Sequence, residues 1–237
     1  MNITESQKLF KEIKNPAGTK LDWVFEYKEV AGIKFKFDKN NRIIKKRIDT
    51  YFTKEPKTLE WINSFKKGEI LVDIGANIGI YTLYAAKKGI TVHAFEPHAG
   101  NFADLITNIY INEFDSVKAY PFAVMDKNSV DELAMLSIVP AQSHNDFGIE
   151  DDRVKHYVAG FKLDYMGINP HHIKIDVDGL EDKVIAGMNT SLENVKSILI
   201  EVTTLDTLKP LLDRGFKIDE SMTYKLSDTE YNYILRK

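Results

Sequence analysis

With 237 residues, 43% of them hydrophobic and 28% charged, the chain can bury the core of one α/β domain and has the balance of a globular protein. Its net charge of −3 disfavours nucleic acid as a partner, since such binders usually carry a basic excess. The absence of cysteine excludes disulfides, thiolate metal ligands and a cysteine nucleophile. Met1 to Gln7 lacks the apolar core of a signal peptide, and no apolar run approaches the roughly 20 residues of a membrane span. A cytoplasmic protein without a membrane span is expected.

In chain order, residues 1 to about 20 read as a short helix and then a loop through Asn15-Pro16-Ala17-Gly18. Trp23–Val30 and Ile33–Phe37 read as strands, the second alternating apolar and charged residues. Asp38–Asn41 is a turn, and Ile43–Ile48 returns as a further strand, completing a small β element. Thr58–Phe65 reads as a helix with Leu59, Ile62 and Phe65 on one side. Strand and helix then alternate: strand Ile70–Ile74, helix Ile78–Lys88 closed by Gly89, strand Thr91–Phe95, helix Ala99–Ile111 and strand Val117–Val124. After a long excursion come strand Ile173–Val177, helix Leu180–Met188, strand Ser197–Val202 and helix Leu205–Arg214 capped by Gly215. Strands Phe216–Asp219 and Tyr231–Leu235 end the chain.

Such alternation implies an α/β fold, a mostly parallel central sheet with helices on both faces. Residues 1–50 form an N-terminal extension and residues 51–237 the main domain. The insert at about 125–170 is longer than ordinary connections, and such excursions tend to be functional. It carries Ser137, Gln142, Ser143, His144, Asn145, Asp146 and His156 as candidate substrate contacts.

The segment Ile70-Leu71-Val72-Asp73-Ile74-Gly75-Ala76-Asn77-Ile78-Gly79 is an apolar run that ends in a carboxylate and breaks into a glycine-spaced turn. The next apolar run, Thr91–Phe95, ends in Glu96-Pro97. Glycines let a backbone approach a ligand closely, and an acid after the second strand accepts hydrogen bonds from ribose hydroxyls. The dinucleotide fingerprint needs a third glycine where Ile80 stands, and no Gly-Lys pair of a phosphate loop occurs, so a pyrophosphate fits poorly. The pattern resembles motifs I and II of class I S-adenosylmethionine (SAM) methyltransferases. That resemblance puts Asp73 near the cationic end of the cofactor and Glu96 on its ribose.

Asp73, Glu96, Asp176 and Glu201 all end strands, where ligands of open α/β sheets bind. The strand around His172-Ile173-Lys174-Ile175-Asp176-Val177-Asp178 alternates charged and apolar residues, unlike an ordinary buried parallel strand. Asp73–Gly79, Phe95-Glu96-Pro97 and Lys174–Gly179, together with Lys162-Leu163-Asp164 and Ile198–Val202, resemble the FkbM family of SAM-dependent methyltransferases over about residues 50–217. The resemblance implies a Rossmann-like class I methyltransferase that methylates an oxygen, often a sugar or secondary-metabolite hydroxyl. It implies cofactor contacts from Asp73, Gly75, Ala76, Asn77, Gly79, Glu96 and Pro97, Ala123 against the adenine, and Asp176 facing the methyl group and acceptor. Asp178 stands where that family more often has Glu.

Methyl transfer is an in-line displacement that needs an aligned oxygen and a group to take its proton. His144, Asp176 and Asp178 are the candidate bases, with Lys174 beside them in the catalytic set. Crowding of acids could raise the pKa of Asp176. Asp176, Asp178 and Glu201 could offer oxygen ligands to magnesium, but no fixed ligand spacing stands behind this and no metal is assigned. His171-His172 reads as an exposed strand edge away from the rim. The rival functions are a nicotinamide-dependent reductase, a non-catalytic SAM-binding scaffold, and a nucleic-acid methyltransferase. The last is disfavoured by charge and by the lack of an Asn/Asp-Pro-Pro-Tyr/Phe segment. The expected partner is a small-molecule or glycan acceptor. The aromatics Trp23, Phe25, Tyr27, Phe35 and Phe37 either pack on the sheet, form a homodimer face or stack on sugar.

Overall fold

The computed structural model describes residues 7–14, 20–135, 140–141, 146–147, 154–226 and 231–237. The first element is an antiparallel sheet of β1 (Gln7–Lys14), β2 (Lys20–Val30) and β3 (Ile33–Lys36). Ala31 and Gly32, both at positive φ, make the tight turn between β2 and β3. Helices α1 (Arg42–Asp49) and α2 (Pro56–Asn63) follow.

Two expectations fail here. Gln7–Lys14 is a strand, not a helix, because it ladders along β2 from Gln7 opposite Tyr27 to Lys14 opposite Lys20. Ile43–Ile48 is helical, not extended. Asn41 caps it, its Oδ1 accepting from the Ile43 and Ile44 amides, and the i, i+4 pair Ile44 and Ile48 is buried.

The main domain alternates as its hydrophobic pattern predicts: β4 (Ile70–Ile74), α3 (Ile80–Lys87), β5 (Thr91–Phe95), α4 (Ala99–Asn112) and β6 (Val117–Tyr120). The expected strand Val117–Val124 is broken after Tyr120. Its second part, β7 (Ala123–Val124), leaves for another sheet with β8 (Ser129–Met135), β9 (Asp146–Phe147) and β10 (Val154–Phe161). The insert therefore contributes a four-stranded sheet in the order β7-β10-β8-β9. The chain returns through β11 (His172–Ile175), α5 (Glu181–Ala186), β12 (Ser197–Val202), α6 (Lys209–Leu212), β13 (Lys217–Ile218), β14 (Tyr224–Lys225) and β15 (Tyr231–Arg236).

The central sheet runs β13-β15-β12-β11-β4-β5-β6, with β14 also on β15. β6, β5, β4, β11 and β12 are parallel, and β15 enters antiparallel. Alternate residues of each strand feed the two faces. Val72, Ile74, Ile173, Ile175, Ile198 and Ile200 pack with Val184 and Ile185 of α5. Leu71, Val92, Ala94 and Leu199 pack with Trp61 of α2, Ala85 of α3 and Leu105 of α4. The N-terminal extension is tied to the domain: β3 offers its Lys34 and Lys36 amides to Asn112 and Asn108 of α4, and Phe35, Ile44 and Ile48 share a core with Leu83 of α3.

The entry end of β11 departs from expectation, because His172 is buried. Trp61 can only donate and does so to Ser197 Oγ at 2.8 Å; Ser197 meets His172 Nδ1 at 2.7 Å; His172 Nε2 lies 2.9 Å from Glu69 Oε2. Since the carboxylate accepts only, Nε2 carries the proton. Burial holds the His172 pKa down, to about 4, against the pull of Glu69. Phe65 stacks on the ring with centroids 3.6 Å apart. The folded His172 pKa lies below its unfolded value of 6.5, so stability present at neutral pH is lost as pH falls from 6.5 towards 4. Urea unfolding should show the native chain losing about 3 kcal/mol more than His172→Gln between neutral pH and the lower end of that window. Equal slopes would refute the neutral buried imidazole.

Candidate functional site

The turn after β4 takes its shape from two glycines. Gly75 has φ +81, and a Cβ there would stand 1.8 Å from the Asp176 carbonyl oxygen. Gly79 has φ +91, and a Cβ there would meet Leu105 at 2.6 Å. The close approach expected towards a ligand is, at Gly75, an approach of backbone to the strand end of β11. The Gly75 and Ala76 amides both donate to the Phe95 carbonyl at 3.0 Å, fastening the turn to β5. Asn77 sits at φ +52, a conformation its short polar side chain tolerates.

Glu96 ends β5 almost fully buried. Its Oε2 accepts from the Asn77 amide at 2.7 Å, and its Oε1 from the His98 amide at 2.9 Å and Asn101 Nδ2 at 3.4 Å. Burial pushes its pKa up to about 7, although these hydrogen bonds and the Arg47 charge oppose the shift. Three donors leave part of the capacity of a carboxylate, about four lone-pair sites, for a ligand.

Behind the turn lies a buried ion cluster. Lys174 Nζ is 2.7 Å from Asp176 Oδ2 and 4.0 Å from Asp73 Oδ1. Burial disfavours the Lys174 charge, but Asp176, Asp73 and Glu55 outweigh it and raise the pKa. Asp73 takes a 2.5 Å bond from Thr82 of α3 on Oδ2, while Oδ1 is buried without a hydrogen-bond partner among the described residues. Burial raises the Asp73 pKa. The expectation of a raised pKa at Asp176 is overturned: burial pushes it up, but Lys174 wins and lowers it.

These elements wall a cleft of about 400 Å³, within the usual range for ligand sites. The structure brings Gly75, Asn77, Glu96, Pro97, Ala123, Asp176 and Asp178 together along it. Asp73 and Lys174 lie beneath the wall, reaching it through Asp176. Ala76 is packed into the core, and Gly79 starts α3 behind the turn. His144 lies outside the described residues. Among the described residues no three His, Asp or Glu side chains could hold a metal ion, so Asp176, Asp178 and Glu201 do not form such a set. Sequence reasoning missed Arg47, Lys54, Asn101, Met125 and Leu133, which also line the cleft. Arg47 was hidden by reading α1 as a strand.

The profile described as the Methyltransferase FkbM domain matches residues 73–226, and the chain belongs to the FkbM family of methyltransferases. Its cofactor is SAM. Methyltransferase 1 of Beauveria bassiana is 22% identical over 175 residues, 73% of this chain and 70% of that protein. The hexuronic acid methyltransferase AglP of Haloferax volcanii is 26% identical over 140 residues, 58% of this chain and 57% of that protein. The solved structure of PH0793 from Pyrococcus horikoshii superposes with a TM-score of 0.52 at 17% identity, covering 89% of this chain and 70% of that one. The fold is the Rossmann-like class I methyltransferase fold.

The residues fit the cofactor: a buried carboxylate with acceptor capacity, the small Ala123 in the wall and strand-end carboxylates suited to a sulfonium. Gly75→Ala should lower stability by about 3 kcal/mol or more, because both φ and the Asp176 carbonyl oppose a Cβ. A melting temperature within a degree or two of the native chain would contradict this.

Proposed function

We propose that the chain transfers the methyl group of SAM to an oxygen of a small molecule or glycan, with a sugar as the best-fitting acceptor. The observation that carries this reading is the Asp176 carboxylate, held ionised on the cleft wall by buried Lys174. SAM supplies an electrophilic methyl group on a sulfonium. Glu96 receives ribose hydroxyls, Asn77 and the Gly75 turn shape the same wall, and Ala123 faces the adenine. Asp176 accepts the acceptor hydroxyl and orients its oxygen. An alcohol proton need leave only as the new C–O bond forms, so a carboxylate of low pKa still serves as its destination. Asp178 stands beside it as a second acidic contact, and Lys174 fixes the charge and direction of Asp176. The relative named for hexuronic acid supports an oxygen acceptor, since such a sugar offers oxygens for methylation. The insert sheet, which contributes Leu133 to the wall, is the expected acceptor side.

Ribose binding needs the ionised form of Glu96, whose pKa is about 7 in the free protein. Calorimetry should therefore show the dissociation constant of S-adenosylhomocysteine rising about tenfold from pH 8 to pH 6, with proton release at the lower pH. In Glu96→Gln the affinity should fall and the pH dependence should flatten. An unchanged pH dependence in that variant would remove Glu96 from the ribose. For Asp176→Asn, cofactor affinity should stay within about threefold while turnover of a sugar acceptor falls about 100-fold or more. Full turnover by this variant would defeat the assigned role.

A further inference from the structure

Arg47 is carried by α1, outside the matched family region, yet it lines the cleft. It is half-buried, and its Nε donates to the Ala141 carbonyl at 2.8 Å. Among the described residues it makes no ion pair, whereas Lys54, the neighbouring cation on the wall, is 2.8 Å from Glu55 Oε1. It shares the cleft wall with both Glu96 and Asp176, and its charge is felt by both.

The position of Arg47 is fixed by a hydrogen-bonded path that ends on Glu96. Ala141 accepts from Arg47, its amide donates to Asn101 Oδ1 at 2.7 Å, and Asn101 Nδ2 reaches Glu96 Oε1 at 3.4 Å. Asn41, the cap of α1, also holds this segment, donating from Nδ2 to the Pro140 carbonyl at 3.0 Å. Ala141 is fully buried at φ +72, a conformation that L side chains resist and that persists only where surroundings impose it. Arg47 also borders a small side pocket of about 20 Å³ with Thr50, Tyr51, Lys54, Ile80 and Tyr81, where α3 begins.

Glu96, Asp176, Asp178 and Glu201 all line the cleft. They suit the sulfonium and the α-amino group of the cofactor but repel its α-carboxylate. With the ribose on Glu96 and the methyl group facing Asp176, the amino-acid tail ends within the same stretch of wall. We propose, resting on the SAM reading above, that Arg47 receives the α-carboxylate of the cofactor. The N-terminal extension thus completes the cofactor site.

The test compares SAM with decarboxylated SAM, which differ at this carboxylate, by calorimetry on the native chain, Arg47→Met and Arg47→Gln. Glutamine keeps a donor within reach of Ala141 and removes the charge, so it serves if the methionine variant does not fold. The native chain should prefer SAM by about 30-fold, the scale of a charge-assisted hydrogen bond. Measured at a pH well above the Glu96 pKa, where that acid stays ionised without the Arg47 charge, either variant should lose that preference, with affinity for decarboxylated SAM within about twofold of native. Equal weakening of both ligands would overturn the proposal and make Arg47 a strut for Ala141. Unchanged SAM binding with a raised KM for an acidic sugar would overturn it in favour of an acceptor carboxylate. Binding of neither ligand by the folded native chain would sink the SAM reading itself, and this proposal with it.

Discussion

A lysine charge inside a parallel sheet is the constraint on which the site depends. Lys174 is 2% exposed, in register with Asp73 on one neighbouring strand and Leu199 on the other. An unpaired ammonium there would be prohibitive, and removing one partner of a buried pair typically costs about 3–5 kcal/mol. The lysine thus requires Asp176 at 2.7 Å and Asp73 at 4.0 Å. It thereby fixes where the strand-end carboxylate of β11 points. Asp73 in turn ties the cluster to α3 through Thr82. The acid that sequence motifs place nearest the cofactor is, in the fold, an internal counter-ion that shares Lys174 with Asp176, the acid proposed to face the acceptor.

The glycine turn serves the same junction. Because Gly75 has no Cβ, the Asp176 carbonyl can lie against it, and the ends of β4 and β11 meet closely enough for one ligand to span both. The turn is also bonded to the Phe95 carbonyl, and Glu96 bonds back to Asn77. Glu96, the turn and Asp176 thus form one bonded unit at the rim of three adjacent strands. Rigid elements of this kind position groups more finely than free loops do. The second sheet adds an apolar wall through Met125 and Leu133.

Much of this was legible in the sequence. The α/β alternation followed from hydrophobic periodicity, and the rim followed from acids at strand ends, because both are local signals with a fixed geometric meaning. The failures have physical causes. Ile43-Ile44-Lys45-Lys46-Arg47-Ile48 carries apolar residues compatible with either period, and only the Asn41 cap and the buried Ile44–Ile48 pair decide for helix. That misreading concealed Arg47. β1 depends on its pairing with β2, which no local pattern announces. His172 looked like an exposed edge because the partners that satisfy it, Glu69 and Ser197, come from other strand ends. The pKa of Asp176 could not be signed from crowding alone, since its sign is set by a lysine distance that exists only in the fold.

A crystal structure of the chain with S-adenosylhomocysteine tests the proposed site most directly. The ribose hydroxyls should lie on Glu96, the adenine against Ala123 and the sulfur facing Asp176, with the Lys174–Asp176 pair intact. Nucleoside density elsewhere in the molecule, or a ribose bonded to groups other than Glu96, would contradict it.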